Sequence, residues 1–355
     1  MDAFQEELGF IKSSLQGWSQ VKCSDVKFEV CGMGNSRQTY RVVDQSKISS
    51  PNPIILRKFI REPEARELTS FEKMSSAGLG PKILASDTEK GLRIEQYFNS
   101  RNMLNYEINQ KNYRRKLASK LASVHLLGSL KAGTRKSYID AAVDRFLNDA
   151  VDNCDPNKYE DEQSVQTVNQ LRYLFTPTEI EFVLNLVRPL NLVWSHNDIW
   201  TGNILVTEPD DQVLVIDYEV TDYNFRGYDI GKLMMEVLYS RHEGSPHYDF
   251  LSVDNLPSKE DMIDFMKCYL LAAEGHSIVD NNDQEIEDKS KLISNFEEKV
   301  TELYKEVEIG LLCAGFYSAI LGMWIGRKIT SMDFILFAKH GEIMYAEFKK
   351  RFFKE

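Results

Sequence analysis

The patterning of the chain changes near residue 100. Before that point, apolar residues recur mainly every second position. Val26-Lys27-Phe28-Glu29-Val30 and the stretch around Tyr40-Arg41-Val42-Val43 alternate, and Ile54 to Ile60 is a further short apolar run. That period predicts strands. Cys31-Gly32-Met33-Gly34-Asn35-Ser36 supplies a glycine-bearing turn between the first two, and two more strands are expected near 82–85 and 92–97. Residues 3–18 place Phe4, Leu8, Ile11 and Leu15 at helical spacing, and 64–77 reads as a helix closed by Gly78 and Gly80-Pro81. After residue 100 the period becomes helical, as with Leu117, Leu121, Val124 and Leu127. Two lobes are therefore expected, 1–98 rich in strands and 99–355 mostly helical, joined near Gln96–Ser100. Polar, acidic stretches at 152–164 and 277–290 read as surface loops, and Ser258 as the N-cap of a helix.

Charge and cysteine usage exclude several classes. A formal charge of −11 argues against a general basic surface for nucleic acid, and mildly favours cationic ligands. The five cysteines form no C-x-x-C pair, which suits a reducing cytosol and argues against a zinc site or a disulfide framework. Residues 1–7 lack the basic and apolar regions of a secretion signal, so a cytoplasmic location is expected. From Ile309 to Gly326 no residue is charged, which reaches membrane-spanning length. Its four glycines, Tyr317 and Ser318 favour a buried helix, and no membrane span is expected.

The chemistry concentrates in Ser195-His196-Asn197-Asp198-Ile199-Trp200-Thr201-Gly202-Asn203, followed by Val215-Ile216-Asp217-Tyr218-Glu219. Apolar runs at 204–206 and 213–216 flank a polar turn, which predicts a hairpin. Its ends would gather Asp198, Asn203 and Asp217. Phosphoryl transfer needs such a set: one carboxylate to orient and deprotonate a hydroxyl, and further oxygens to hold Mg²⁺ against the phosphates of ATP. The Asp-x4-Asn spacing followed by a later Asp is that of the kinase catalytic loop.

His196-Asn197-Asp198, Asn203, Ile216-Asp217-Tyr218-Glu219 and Tyr223 to Gly231 together resemble the choline/ethanolamine kinase family. Leu56-Arg57, Glu67, Leu79 to Leu84, Glu95-Gln96-Tyr97 and Lys328 to Phe334 extend the resemblance over roughly 26–350. It implies an α+β, bilobal protein-kinase-like fold. The N-terminal lobe would be a small antiparallel sheet with helices, and the C-terminal lobe larger and mostly helical. It implies ATP and Mg²⁺ as cofactors and an amino alcohol, choline or ethanolamine, as the small-molecule substrate. The product would be the first intermediate of phospholipid head-group synthesis. Asp198 would be the general base, Asn203 and Asp217 the Mg²⁺ ligands, and Glu219 a metal-adjacent carboxylate. Arg57 would meet the ATP phosphates, paired with Glu67. Gly34 and Ser36 would cover those phosphates, and Gln96–Ser100 would meet adenine. Asp229 would hold the catalytic loop and His196 would brace it. His125 reads as a packed core histidine.

The substrate side departs from the family. Its two tryptophans would fall on Ala319 and Gly322, and its later tyrosines near Leu336 and Lys339. Trp324, Tyr317 and Phe316 are nearby aromatics, Glu236 matches a substrate-side carboxylate, and Tyr239 lies one turn further on. Trp200 stands where choline kinases carry a Gln, and Arg37 where the family carries an Asn. A kinase of the same fold acting on another amino alcohol or an aminoglycoside-like substrate is the first alternative, and a non-catalytic nucleotide-binding protein the second. Dimers are common among such relatives, which leaves both a monomer and a homodimer open.

Overall fold

The computed structural model describes residues 4–33, 37–60, 65–241, 248–278, 282–326 and 332–353. The chain divides into two compact units, 1–101 with 205–219, and 102–204 with 220–355. The first break falls three residues beyond 98. The segment 205–219 groups with the first unit, although it lies in the interior of 99–355 in sequence.

In the first unit, helix α1 (Gln5–Ser14) is shorter than the expected 3–18, because a 3-10 turn at Gln16–Trp18 follows it. Strands β1 (Val26–Met33), β2 (Arg37–Asp44), β3 (Ile54–Phe59), β4 (Ile83–Asp87) and β5 (Leu92–Gln96) form an antiparallel sheet of order β1-β2-β3-β5-β4. Helix α2 (Ala65–Ser76) precedes β4, and Gly78 past its end has φ +70°, the left-handed conformation in which glycine ends helices.

Register gives this sheet two chemically distinct faces. Tyr40 pairs with Leu56, Leu56 with Ile94, and Val42 with Ile54. These residues are buried with Ile11 and Trp18 of the N-terminal segment. One residue out of phase, Thr39 pairs with Arg57, Arg57 with Arg93, and Ile55 with Glu95. Charged side chains therefore share the opposite face.

Strands β6 (Ser100–Asn102), β9 (Ile204–Thr207) and β10 (Val213–Val215) form a second sheet with β9 central. Thr207 N–H donates to Gln212 C=O at 2.9 Å, so the expected hairpin is present.

The second unit carries helices α3 (Lys111–His125), α4 (Tyr138–Asn153), α5 (Glu162–Leu171) and α6 (Pro177–Val187). Further on lie α7 (Arg226–Met235), α8 (Lys259–Ala273), α9 (Asp283–Ser290), α10 (Phe296–Gly326) and α11 (Met332–Phe352). Its small sheets are β11-β8-β7, from Asp222–Phe225, Leu192–Ser195 and Ser129–Leu130, and the pair β12 (Tyr239–Arg241) and β13 (Tyr248–Phe250). The Ser258 hydroxyl accepts from the Asp261 N–H and caps α8. The stretch 277–290 is no simple loop: Asn282 accepts from Glu285 N–H and starts α9. Likewise 152–164 holds a 3-10 turn at Pro156–Lys158 and the Asp161-capped start of α5.

Helix α10 is long and apolar enough, by length and composition, to cross a membrane, yet 67% of that window is buried within the protein. It packs against α4, α7, α8 and α11, with Leu311, Leu312, Phe316 and Ile320 at or near zero exposure. Burial in the core accounts for its lack of charge. Where α7 crosses α10, a Cβ on Gly310 would collide with the Gly227 carbonyl, and one on Gly231 with the Gly310 backbone. Small residues allow the close approach that positions α7. Gly310→Ala is expected to destabilise the protein by about 1–3 kcal/mol, the usual range for overpacking. Urea denaturation would read this as a lowered midpoint.

Candidate active site

Within the second unit, the segment 195–203 is held from below by Asp229 of α7. The His196 N–H donates to Asp229 Oδ2 at 2.7 Å and the Asn197 N–H to Oδ1 at 2.8 Å. His125 Nε2 lies 3.1 Å from the same carboxylate, and its Nδ1 lies 2.8 Å from the Tyr269 hydroxyl. Burial alone would raise the Asp229 carboxyl. The hydrogen bond and charge of His125, with the backbone donors, more than offset this and hold it below its ordinary value.

Asn197 has φ +65°, a conformation that Asn tolerates better than most residues. Its side chain stabilises the turn: Nδ2 donates to the carbonyls of Val220 and Asp222 at 3.1 Å each, and Asn224 Nδ2 donates to its Oδ1 at 2.9 Å. His196 Nδ1 accepts from the Asp198 N–H at 3.2 Å.

These constraints present Asp198 with its side chain 41% exposed. Asn203 Nδ2 donates to the Asp198 carbonyl at 2.9 Å and to Oδ2 at 3.2 Å. Lys232 Nζ donates to Oδ1 at 2.6 Å and to the Asn197 carbonyl at 3.2 Å. Burial would lower the Lys232 ammonium, but the adjacent Asp198 charge and hydrogen bond hold it above its ordinary value.

Glu236 follows α7 and is partly exposed. Its Oε2 accepts from the Thr201 N–H at 3.2 Å, the Thr201 hydroxyl at 3.3 Å and Asn105 Nδ2 at 3.4 Å. Desolvation pushes its carboxyl up to about 7, against the opposing pull of the Thr201 donors and Lys232. Tyr239 is close enough for the Glu236 charge to add to burial in raising its hydroxyl. Its ring meets Phe250 edge-on at 5.6 Å and His340 at 6.0 Å.

In the first unit, the charged sheet face and α2 gather a different set. Arg37 is buried and pairs with Glu67 at 3.3 Å, with Glu219 at 3.1 Å, and with Asp217. Burial opposes the Arg37 charge, but these carboxylates hold its ionisation above the ordinary value. Arg57 Nε donates to Glu95 at 2.7 Å, and Arg93 Nε donates to the same oxygen at 2.8 Å. The Arg57–Glu67 pairing implied by the resemblance is thus not the one seen: Glu67 pairs with Arg37 and Arg57 with Glu95. Arg37 begins β2 on the face that also carries Arg57, which explains how it reaches the carboxylate. Asp217 has φ +72°. Tyr218 beside it packs edge-on to Phe71 at 5.5 Å and over Gly80, where any Cβ would strike its hydroxyl.

Of the remaining candidates, Gly34 and Ser36 lie outside the described residues, as do Lys328 to Ser331. Gln96 ends β5 and its N–H donates to the Lys82 carbonyl at 2.9 Å, while the Asn99 carbonyl accepts from the Glu208 N–H. Two of the backbone groups at 96–100 are therefore already in use. Trp200 lays its indole over Gly202, where a Cβ would collide with it.

The family's tryptophan positions are filled by packing. Gly322 sits against Ala338 and the Phe334 carbonyl, and a Cβ on Gly341 would meet the Ala319 backbone. Trp324 packs on Phe146 with centroids 4.4 Å apart, Tyr317 shares a 2.8 Å hydrogen bond with Tyr138, and Phe316 is buried against Tyr345. Lys232 was not singled out in the sequence. Its position three residues after Asp229 and four before Glu236 is the spacing of one helical face, and that signal would have found it.

The choline/ethanolamine kinase family model matches residues 31–346. Choline kinase alpha of Mus musculus is 24% identical over 278 residues, which cover 76% of this chain and 56% of that protein. The chain spans about half the length of the first curated relatives it matches. A choline kinase structure from Cryptosporidium parvum Iowa II aligns with a TM-score of 0.73 at 19% identity, covering 98% of this chain and 95% of that one. A Plasmodium vivax ethanolamine kinase aligns at 0.66 and 19%, covering 91% and 83%. At such identities the structural likeness shows the shared kinase-like fold, and the family match, over most of the sequence, shows descent: this chain belongs to the choline/ethanolamine kinase family.

Proposed function

We propose that this chain is an ATP- and Mg²⁺-dependent kinase that phosphorylates the hydroxyl of choline or ethanolamine. The observation that carries this reading is the placement of Asp198. A half-exposed carboxylate stands on a loop whose backbone is clamped by a buried Asp229, with both of its oxygens held by named donors. Such a group is set to orient an incoming hydroxyl and take its proton as the oxygen attacks the γ-phosphorus of ATP and the bond to the β-phosphate oxygen breaks.

The residues present suit Mg²⁺. Asn203 spends its amide N–H donors on Asp198, which leaves its carbonyl oxygen as the ligand atom. Asp217 and Glu219 already converge on a cation, the Arg37 guanidinium. Among the described residues no cluster of three or more His, Cys, Asp or Glu side chains forms. Mg²⁺ takes one or two protein carboxylates or amide oxygens and completes its shell with phosphate oxygens and water. When bound, Mg²⁺ neutralises charge on the β- and γ-phosphates. Arg37 and Arg57 are the cations of the charged sheet face available to ATP phosphates, with Gly34, Ser36 and the Gln96 segment as the remaining nucleotide contacts.

On the acceptor side, Glu236 is the carboxylate for an ammonium group, with the Tyr239 ring beside it. The loss of the tryptophan pair to close packing of α10 on α11 favours the smaller primary ammonium of ethanolamine, which binds carboxylates by N–H donation. Five free cysteines, two of them exposed, agree with a cytoplasmic setting.

The direct test is MgATP turnover by the purified chain against choline, ethanolamine, their N-methylated intermediates and an aminoglycoside. Turnover of ethanolamine or choline is expected. ATP binding with no turnover of any acceptor would favour a non-catalytic nucleotide-binding protein, and turnover of the aminoglycoside alone another alcohol. Asp198→Asn should lower kcat by about 10²- to 10⁴-fold with ATP affinity retained, as for loss of a positioned base.

A pH profile tests Glu236. Its carboxyl titrates near 7, so between pH 6 and 8 its ionised fraction, and with it affinity for an ammonium acceptor, should rise about tenfold. KM for ethanolamine is expected to fall over that range, and Glu236→Gln to raise KM and flatten the profile. Stability runs the other way. A carboxyl raised on folding contributes stability at low pH that is lost as pH rises toward 7.

A further inference from the structure

The acceptor side of the second unit holds two carboxylates, Asp198 on the 195–203 loop and Glu236 directly after α7, and the cation Lys232 of α7 contacts the first. Asp198 has the Lys232 ammonium in contact at 2.6 Å. Glu236 receives, among the described residues, only neutral donors: the Thr201 N–H and hydroxyl and the Asn105 amide. Lys232 and Glu236 lie four residues apart on one helical face. Each influences the other electrostatically, and Asp198 influences both.

An acceptor with an ammonium at one end and a hydroxyl at the other can bind in two directions. Two equivalent carboxylates would accept the ammonium at either place, and the direction that puts it on Asp198 delivers no hydroxyl to the base. We infer that Lys232 is a positioning residue that removes this ambiguity: by neutralising Asp198 it drives the acceptor's cationic end to Glu236 and keeps Asp198 for the hydroxyl. The inference rests on the proposed function. The geometry suits the role. The Lys232 side chain is 17% exposed and anchored to the Asn197 carbonyl as well as to Oδ1, so it cannot swing out freely to pair elsewhere. Asn203 holds the other Asp198 oxygen, and the carboxylate plane is set from both sides. Asp198 and Lys232 together carry no net charge, which leaves the Glu236 carboxylate as the group that attracts a cation.

The test compares Lys232→Gln and Lys232→Arg with the unaltered chain, using ethanolamine as substrate and ethylammonium, which lacks the hydroxyl, as a competitive inhibitor. Loss of the cation should uncover Asp198 as a second ammonium site. In K232Q, kcat for ethanolamine should fall about 10- to 100-fold, the cost of a misplaced acceptor. Ethylammonium should bind about fivefold tighter or more, roughly 1 kcal/mol. A merely structural lysine would not tighten inhibitor binding. K232R should restore both values.

A second measurement does not depend on K232Q folding. With the Asp198–Lys232 pair intact, Glu236→Gln should weaken the ethylammonium inhibition constant about tenfold or more, because no second ammonium site is open. Unchanged or weaker ethylammonium binding in a folded K232Q, or an E236Q variant that retains it, would overturn the inference while leaving turnover of the amino alcohol as the separate test of the proposed function. If the unaltered chain phosphorylates no amino alcohol, the proposed function falls and this inference with it.

Discussion

The buried Asp229 carboxylate is the interaction on which the geometry of the 195–203 loop depends. A carboxylate with no exposure to solvent is costly unless its oxygens are fully engaged. Here two backbone N–H groups and His125 engage them. The consequence runs in both directions. The loop satisfies the aspartate, and the aspartate fixes the loop, including an Asn197 backbone in a left-handed conformation that would otherwise be strained. Asp198 can then stand partly in solvent with a defined direction. The helix that carries Asp229 is held in turn by glycine-mediated contact with α10, so the packing of a deeply buried apolar helix reaches the Asp198 loop through one turn of α7.

The first unit solves a different problem by a related device. Its sheet buries an apolar face against the N-terminal helix and turns a charged face toward α2. Buried guanidinium groups on that face are matched by Glu67, Glu95, Asp217 and Glu219. Arg93 also lies over the Phe71 ring at 3.8 Å. Networks of this kind are sensitive to loss of any member, because an unpaired buried charge is far more costly than the pair is favourable.

The candidate site was legible around Asp198 because its pattern is local. The Asp198–Asn203 spacing and the hairpin at 204–216 each lie within a short span, where motif spacing and hydrophobic period with turn residues predict them. The extents of α1 and α9 were less legible, since a 3-10 turn and a single Asn cap decide where each begins or ends. The partner of Glu67 was hidden for another reason. Arg37 and Arg57 are equivalent by parity on adjacent strands, and the choice between them depends on which guanidinium is also drawn to Glu95 or to Asp217 and Glu219.

By itself the sequence determined the family and the kinase-like fold, and singled out the residues proposed as base and metal-binding oxygens, because motifs and their spacing along the chain carry them. Tertiary structure alone decided which cation meets which carboxylate. It placed Lys232 on Asp198, left Glu236 with neutral donors, paired Arg37 with Glu67, and closed the Ala319 and Gly322 positions with α11. Charge pairing between distant segments depends on distances of a few ångströms, and those are set by sheet register and helix crossing, which no local pattern encodes.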